Sequence, residues 1–520
     1  MTSDQKRQLE KQLWAIANDL RGKINADEYK NYILGFIFYK YLSEKQINFA
    51  NKRLASSQLT YDQILDKDPK YIEMMQKYSV EDLGFFLRPD EIFSYLVARA
   101  KGEKGNNRFI LEDLKRILNT IEQTSRATES EEDFTGLFSD VDLTSTKLGK
   151  TENAKNEIIS EILIKLNEID FDLDQSQSDM LGDAYEYLIG EFAAGAGKKA
   201  GEFYTPSQVS KLLAKLVTVG KKQVRSAYDP TCGSGSLLLK LRNHVEVSDY
   251  YGQDNTHTAF NLARMNMMLH DVPFARFDIK HGDTLTDDQF PKEKFEIIVA
   301  NPPFSLTWKG EKDPVLAQDD RFTQYGRLAP KSAADYAFIT HMLYHLADNG
   351  QMAVVVPHGV LFRSGAEGTI RKYIIEKQNV LDAVIGLPAN LFFGTSIPAC
   401  ILVFHKCRKH DQDVFFIDAS KEFEKGKNQN YLKDEHIQKI FETYVKREDV
   451  DKYAHKAPLS EIQENDYNLN IPRYVDTFEE EEPIDIQDVA NQLKSLQKEE
   501  GALQAKIKSF CDELKIDTPF

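Results

Sequence analysis

At 520 residues the chain exceeds one ordinary domain and should hold two or three, and 41 % hydrophobic with 28 % charged residues fits a soluble globular protein with a sizeable core. No apolar run approaches the ~18 residues that span a bilayer; Tyr32 to Tyr39 comes nearest and Lys40 interrupts it. The net charge of −16 is the wrong sign for a surface that grips a phosphate backbone throughout, so if DNA is the substrate another chain should hold it.

The opening Met1-Thr-Ser-Asp-Gln-Lys-Arg lacks the apolar stretch of a signal peptide, which makes the cytoplasm the expected compartment. Cys232, Cys400, Cys407 and Cys511 form no Cys-x-x-Cys pair, so neither a metal site nor a disulfide framework is expected. Residues 1 to about 165 read as helical, with apolar positions at Leu9, Leu13, Ile16 and Leu20 and an aromatic-rich stretch from Tyr29 to Leu42. Thr124 to Lys150, rich in Ser, Thr, Asp, Glu and Gly, reads as loops or mobile connectors.

From residue 166 to about 475 strands alternate with helices, the pattern of a doubly wound α/β sheet, mostly parallel. Seven strands are expected: Ser226 to Asp229, Asp249 to Gln253, Phe277 to His281, Glu296 to Ala300, Gln351 to Val356, Leu381 to Leu387 and Ala399 to His405. The longest helix, Ala333 to Ala347, should end in an Asp348-Asn-Gly turn. Just upstream of the sheet, Gly201-Glu-Phe-Tyr-Thr-Pro-Ser-Gln predicts a helix start with Thr205 as N-cap, Pro206 at the first position and Gln208 completing a capping box. Its amides could bind a carboxylate, or the segment could be no more than a good cap.

Asp229-Pro-Thr-Cys-Gly-Ser-Gly-Ser follows the first strand, and its glycines would let backbone amides approach a ligand at a helix N-terminus. Asp254, 25 residues on, ends the second strand, where a carboxylate can accept both ribose hydroxyls of a nucleoside cofactor. Asp283, after the third strand, could accept from an adenine amino group. Each acid alone would suit a solvated loop or a cap; three of them at strand C-termini of one sheet point to a binding site.

Asn301, Pro302, Pro303 and Phe304 stand where the apolar run Phe295-Glu-Ile-Ile-Val-Ala breaks into a loop. The Asn side-chain oxygen and the Pro302 carbonyl offer two acceptors for both hydrogens of a planar NH2, leaving electron density on the nitrogen as it attacks a methyl group. The prolines stiffen the backbone that aims them. Phe304 offers a face on which a base swung out of a duplex could stack.

Beyond Asp476-Thr-Phe-Glu-Glu-Glu-Glu-Pro, an acidic linker, Val489, Leu493, Leu496, Leu503, Ile507, Phe510 and Leu514 form a heptad stripe with Glu500 at its one polar position. Either a partner helix or the chain's own domain could cover that stripe.

In order and spacing, Glu202-Phe-Tyr-Thr-Pro, Asp229-Pro-Thr-Cys-Gly-Ser-Gly, Asp254, Asp283 and Asn301-Pro-Pro-Phe resemble the gamma arrangement of S-adenosylmethionine-dependent N6-adenine DNA methyltransferases. The whole chain is similar to the modification (M) subunit of type I restriction-modification systems. The helical N-terminus, Pro357-His-Gly-Val-Leu-Phe-Arg, Ile385-Gly-Leu-Pro-Ala-Asn-Leu-Phe, Asn468-Leu-Asn-Ile-Pro-Arg-Tyr and the coiled-coil-like tail extend the likeness. The resemblance implies a seven-stranded methyltransferase sheet with an all-α N-terminal domain (1–165), a catalytic domain (166–475) and a helical tail (476–520). It implies that Glu202, Phe203, Tyr204, Thr205, Pro206 and Ser207, with Asp229, Gly233, Ser234, Gly235, Ser236, Asp254 and Asp283, form the cofactor site, and that Asn301 to Phe304 hold the target adenine. Asp254 stands where the family often has Glu, which shortens the reach to the ribose.

After Phe304 only the remaining sheet and a tail follow, with no basic, loop-rich recognition module. A separate specificity subunit is therefore expected to read the DNA, and the resemblance implies two M subunits per specificity subunit, joined by restriction subunits in the cleaving complex. The rival readings are a protein methyltransferase acting on a glutamine amide, whose amino group the same loop would suit, and a scaffold that keeps the fold without turnover.

Overall fold

The computed structural model describes residues 3–20, 26–102, 108–171, 178–195, 205–392, 395–427, 429–477 and 485–520. The chain divides into two compact units, Met1–Val475 and Asp476–Phe520.

In the first unit, the N-terminal apolar spacing folds as expected. Leu9, Leu13 and Ile16 are buried along the helix Ser3–Leu20, and the aromatic-rich stretch lies within Ala26–Leu54. Start and stop signals act locally: the helix Pro69–Leu83 begins with Asp68 accepting from Lys70 N–H and ends at Gly84, whose φ is +84°. Helices Leu111–Thr124 and Glu152–Asn167 bury further apolar faces. Thr124 to Lys150 is mostly turns around one short helix, Glu131–Phe134, yet it is packed rather than loose. Leu137, Phe138, Val141, Leu143 and Leu148 are buried in the main core. Buried Arg264 donates to the carbonyls of Glu132, Asp133 and Thr135 at 2.8, 3.1 and 2.9 Å.

The strands are β1 Gln223–Asp229, β2 Glu246–Asp254, β3 Phe277–His281, β4 Phe295–Ala300, β5 Leu346–Pro357, β6 Leu381–Gly386, β7 Ala399–His405, β8 Asp413–Asp418, β9 Glu424–Lys425, β10 Asn430–Tyr431 and β11 Ala454–Pro458. Among the described residues they build a sheet of order β3-β2-β1-β4-β5-β7-β6-β8-β11, with β9 and β10 as a separate hairpin. The seven expected strands are all present. β8 and β11 extend the sheet to nine, because Val414, Phe415, Phe416 and Ile417 are buried and β11 covers their edge. Within the nine-stranded sheet β7 runs antiparallel to both β5 and β6, and β11 to β8, and its remaining pairs are parallel.

Alternate residues of each strand enter two cores, as a period of two requires. Ile297, Val299, Ala353, Val355, Ile401 and Val403 face the core that also takes the N-terminal helices, and Ile298, Ala300, Met352, Val354, Leu402 and Phe404 face the other. Asp348-Asn-Gly is not a turn but an irregularity within β5, where pairing jumps from Phe295–Leu346 to Ile297–Gln351. The sheet carries the chain through those residues, and the preceding helix is Asp335–His345.

In the second unit, Asp485 caps the helix Ile486–Leu514 by accepting from Gln487 and Asp488 N–H. Its heptad residues are exposed, from 39 % at Ile507 to 69 % at Leu514. No helix among the described residues is long and apolar enough to cross a membrane.

Candidate active site

Parallel pairing of β1, β2, β3 and β4 brings their C-terminal ends to one edge of the sheet. A cleft of about 200 Å³ opens there, lined by Pro230, Thr231, Asp254, Asn255, Thr256, Asp283, Thr284, Asn301, Pro303, Leu306 and Phe338. Asp254, Asp283 and the Asn301–Pro303 stretch, sequence candidates from three separate segments, thus line one cleft.

Asp254 is nearly buried, and both its oxygens already accept: Oδ2 from Gly233 N–H at 3.0 Å, Oδ1 from Thr256 N–H and hydroxyl at 2.9 Å each. Oδ2 keeps a second lone pair for a ligand, whereas Thr256 already takes both acceptor sites of Oδ1. Burial raises the Asp254 carboxyl above its ordinary pKa. Asp229 is buried deeper, accepts from Thr231 N–H at 2.9 Å, and is pushed up to about 7, chiefly by burial and further by the charge of Asp254. Two carboxyls strained towards neutrality beside one cleft would be relieved by a cationic ligand.

The glycine-rich turn is built as the spacing suggests. Gly233 and Gly235 have φ of +54° and +74°, and Gly235 leads into the short helix Ser236–Lys240. The side chains of Ser234 and Ser236 turn inward, however, bonding each other at 3.0 Å, and Asn266 Nδ2 donates to the Ser234 carbonyl. Gly233 is tied to the cleft by its N–H, which donates to Asp254. Asp283 is exposed at the lip, its carboxylate accepting from Leu285 N–H. The loop behind it is fixed by buried Arg321, which donates to the carbonyls of Thr284 and Leu285 at 2.8 and 3.1 Å.

Glu202, Phe203 and Tyr204 lie outside the described residues. The capping box does not form: the helix runs Ser207–Val217, Pro206 is the N-cap, and no side chain caps it. The Thr205 hydroxyl is engaged elsewhere, accepting from Asn301 Nδ2 at 3.2 Å. With its nitrogen so placed, the Asn301 amide leaves Oδ1 buried, with no hydrogen-bond partner among the described residues. A buried acceptor without a donor is costly unless a ligand supplies one. Pro302 is buried and Pro303 half-buried; Phe304, half-buried, meets Phe392 edge to face at 5.5 Å and 71°.

The sequence reading missed Phe392, Thr256 and Phe338. Phe392 lies in Ile385-Gly-Leu-Pro-Ala-Asn-Leu-Phe, a motif already singled out, and Thr256 is two residues beyond Asp254, the spacing of a carboxylate capping the next turn. Phe338 sits within the almost wholly buried helix Asp335–His345 and carried no signal.

Residues 176–483 match the family model for N-6 DNA methylase, and residues 9–166 that for the HsdM N-terminal domain. The methylase subunit of the type I restriction enzyme MpnII from Mycoplasma pneumoniae is 37 % identical, over 99 % of this chain and 98 % of its own length. The methylase subunit of MjaIX from Methanocaldococcus jannaschii is 30 % identical over 98 % and 91 %. Among solved structures, the methyltransferase subunit of a type I restriction-modification system from Streptococcus thermophilus is 43 % identical, with a TM-score of 0.82, covering 91 % of this chain and 100 % of that one.

Proposed function

This chain belongs to the N-6 DNA methylase family, and we propose that its cleft binds S-adenosylmethionine while Asn301, Pro302, Pro303 and Phe304 hold the adenine that is methylated. The protein is the methylation subunit of a type I restriction-modification system, an adenine-specific DNA methyltransferase whose site is read by a separate specificity subunit.

The observation that carries the residue assignment is the Asn301 amide. Its nitrogen is tied to Thr205, and its buried Oδ1 has no partner among the described residues on a wall shared with Asp254 and Asp283. The cofactor fits the chemistry of that wall. Asp254 would accept from a ribose hydroxyl through Oδ2, Asp283 from the adenine edge of the cofactor, and the raised carboxyls of Asp229 and Asp254 favour a ligand carrying positive charge. When bound, S-adenosylmethionine supplies an electrophilic methyl group. Asn301 Oδ1 accepts a hydrogen of the target amino group, and the Pro302 carbonyl would accept the other. As the nitrogen takes on positive charge these acceptors bind it more tightly, which lowers the barrier. Phe304, braced by Phe392, gives the flipped base a face to stack on.

The organisation we propose is a helical domain to about residue 165, the methyltransferase domain to about 475, and a tail whose exposed heptads join the specificity subunit. Two such chains would serve each specificity subunit, and restriction subunits would complete the cleaving form. The family match favours neither the glutamine-amide enzyme nor the silent scaffold. Transfer of radiolabel from S-adenosylmethionine to DNA, with and without the candidate specificity subunit, tests the assignment. Label appearing in DNA only when the two are combined is expected, and label in protein instead would refute it.

A further inference from the structure

Ser305, directly after Phe304, has a φ of +52°, a left-handed conformation disfavoured for any residue with a side chain. Something must hold it there. Asp335 Oδ1 accepts from Ser305 N–H at 2.9 Å and Oδ2 lies 3.5 Å from the Ser305 hydroxyl, while the adjoining Ala334 N–H donates to the Leu306 carbonyl at 2.9 Å. Asp335 is 3 % exposed, at the start of the helix Asp335–His345. Its charge is answered by Arg363, whose Nη1 stands 3.5 Å from Asp335 and 3.5 Å from the equally buried Glu367. Arg363 closes Pro357-His-Gly-Val-Leu-Phe-Arg and folds back over Gly359, where an added Cβ would come within 2.5 Å of its guanidinium carbon.

We propose that Asp335, secured by Arg363, is a positioning residue that clamps Ser305 in its left-handed conformation and so fixes the loop Asn301–Phe304 for catalysis. The proposal rests on the reading of that loop as the holder of adenine. Asp335 need not touch substrate. Pro302 and Pro303 leave the loop little torsional freedom, so the direction of the chain at Ser305 is passed back to the Asn301 amide and the Phe304 ring. The clamp also accounts for the Pro357-to-Arg363 segment, which carries the cation that keeps a buried carboxylate facing the loop.

The test uses the full chain assembled with its specificity subunit and cognate DNA. Asp335→Ala should lower kcat by roughly 5- to 30-fold, the population lost when a left-handed residue is no longer held. The dissociation constant for S-adenosylmethionine should stay within about twofold, because Asp335 is outside the cofactor cleft. The double variant D335A/S305G should recover at least about threefold of the lost kcat, since glycine takes positive φ without support; a general loss of stability would not be cured by glycine at 305. Ser305→Val, with Asp335 intact, should lower kcat in the same way and serves if D335A does not fold. A D335A kcat within twofold of wild type, a double variant no better than D335A, or an S305V enzyme of normal kcat would each overturn the clamp. Wild-type turnover in the same assay keeps the two readings apart: its absence refutes the adenine-holding loop itself, whereas its presence beside an unaffected D335A refutes only the clamp.

Discussion

Asp229→Asn probes the electrostatics at the end of β1. The carboxyl is 2 % exposed and burial pushes it from 3.8 up to about 7. A group whose folded pKa lies above its unfolded value binds more protons in the folded chain, so its contribution favours folding below that window and is lost as pH rises from 3.8 to about 7. A shift of roughly three units at about 1.36 kcal/mol each costs the ligand-free protein about 4 kcal/mol above pH 7. Asparagine has the same shape, can accept the Thr231 N–H in the same way and cannot ionise. For the 475-residue unit that contains the site, the unfolding entropy is about 1 kcal/mol/K. D229N should therefore melt about 4 °C above wild type at pH 8 but less than about 2 °C above it at pH 5. Scanning calorimetry of the ligand-free protein across that range measures this. A difference that does not grow with pH, or a variant that melts below wild type at pH 8, would refute the reasoning.

Asn301→Ala should leave cofactor binding nearly intact while turnover falls by ~10²-fold or more, because its acceptor works in the transition state; calorimetry and a methylation assay check both halves. Asp254→Ala should weaken S-adenosylmethionine binding by ~1.5–3 kcal/mol, roughly 10- to 150-fold in Kd, since it removes a charged acceptor and also releases Gly233 N–H; an unchanged Kd would assign the ribose to another residue. Deleting residues 485–520 should leave a folded chain that binds cofactor but does not assemble with its specificity subunit. Size-exclusion chromatography with light scattering decides, and normal assembly, or unfolding of the shortened chain, would count against a partner helix.

Where burial followed from apolar runs, the sequence was easy to read. Ile297-Ile-Val-Ala in β4 and Ala353-Val-Val-Val in β5 announce central strands, and the three acids and Asn301 fall where strands of this sheet end. Features set by tertiary partners were not legible. Thr205 has the right identity and spacing for an N-cap, but Asn301 takes its hydroxyl, and nothing local reveals a bond across 96 positions. Asp348-Asn-Gly reads as a turn until β4 and β7 pair on either side of the same strand. β11, Ala454-His-Lys-Ala-Pro, has too little apolar character to announce itself and exists because β8 needs an edge partner. Thr124 to Lys150 is polar in composition, yet its few apolar residues pack into the main core, and Arg264 supplies from afar the donors its carbonyls lack.

That last contact carries a consequence for synthesis. The carbonyls of Glu132, Asp133 and Thr135 are bound by a guanidinium 129 to 132 positions later in the chain. At about 5–20 residues per second, a ribosome making this protein delivers the clamp roughly 6–26 s after the segment it closes. During that interval the N-terminal helices can form, but the stretch beside them lacks the three hydrogen bonds that Arg264 brings. The helical region should therefore mature only once the helix after Asp254 has emerged, which ties the completion of the first third of the chain to the arrival of the cofactor site.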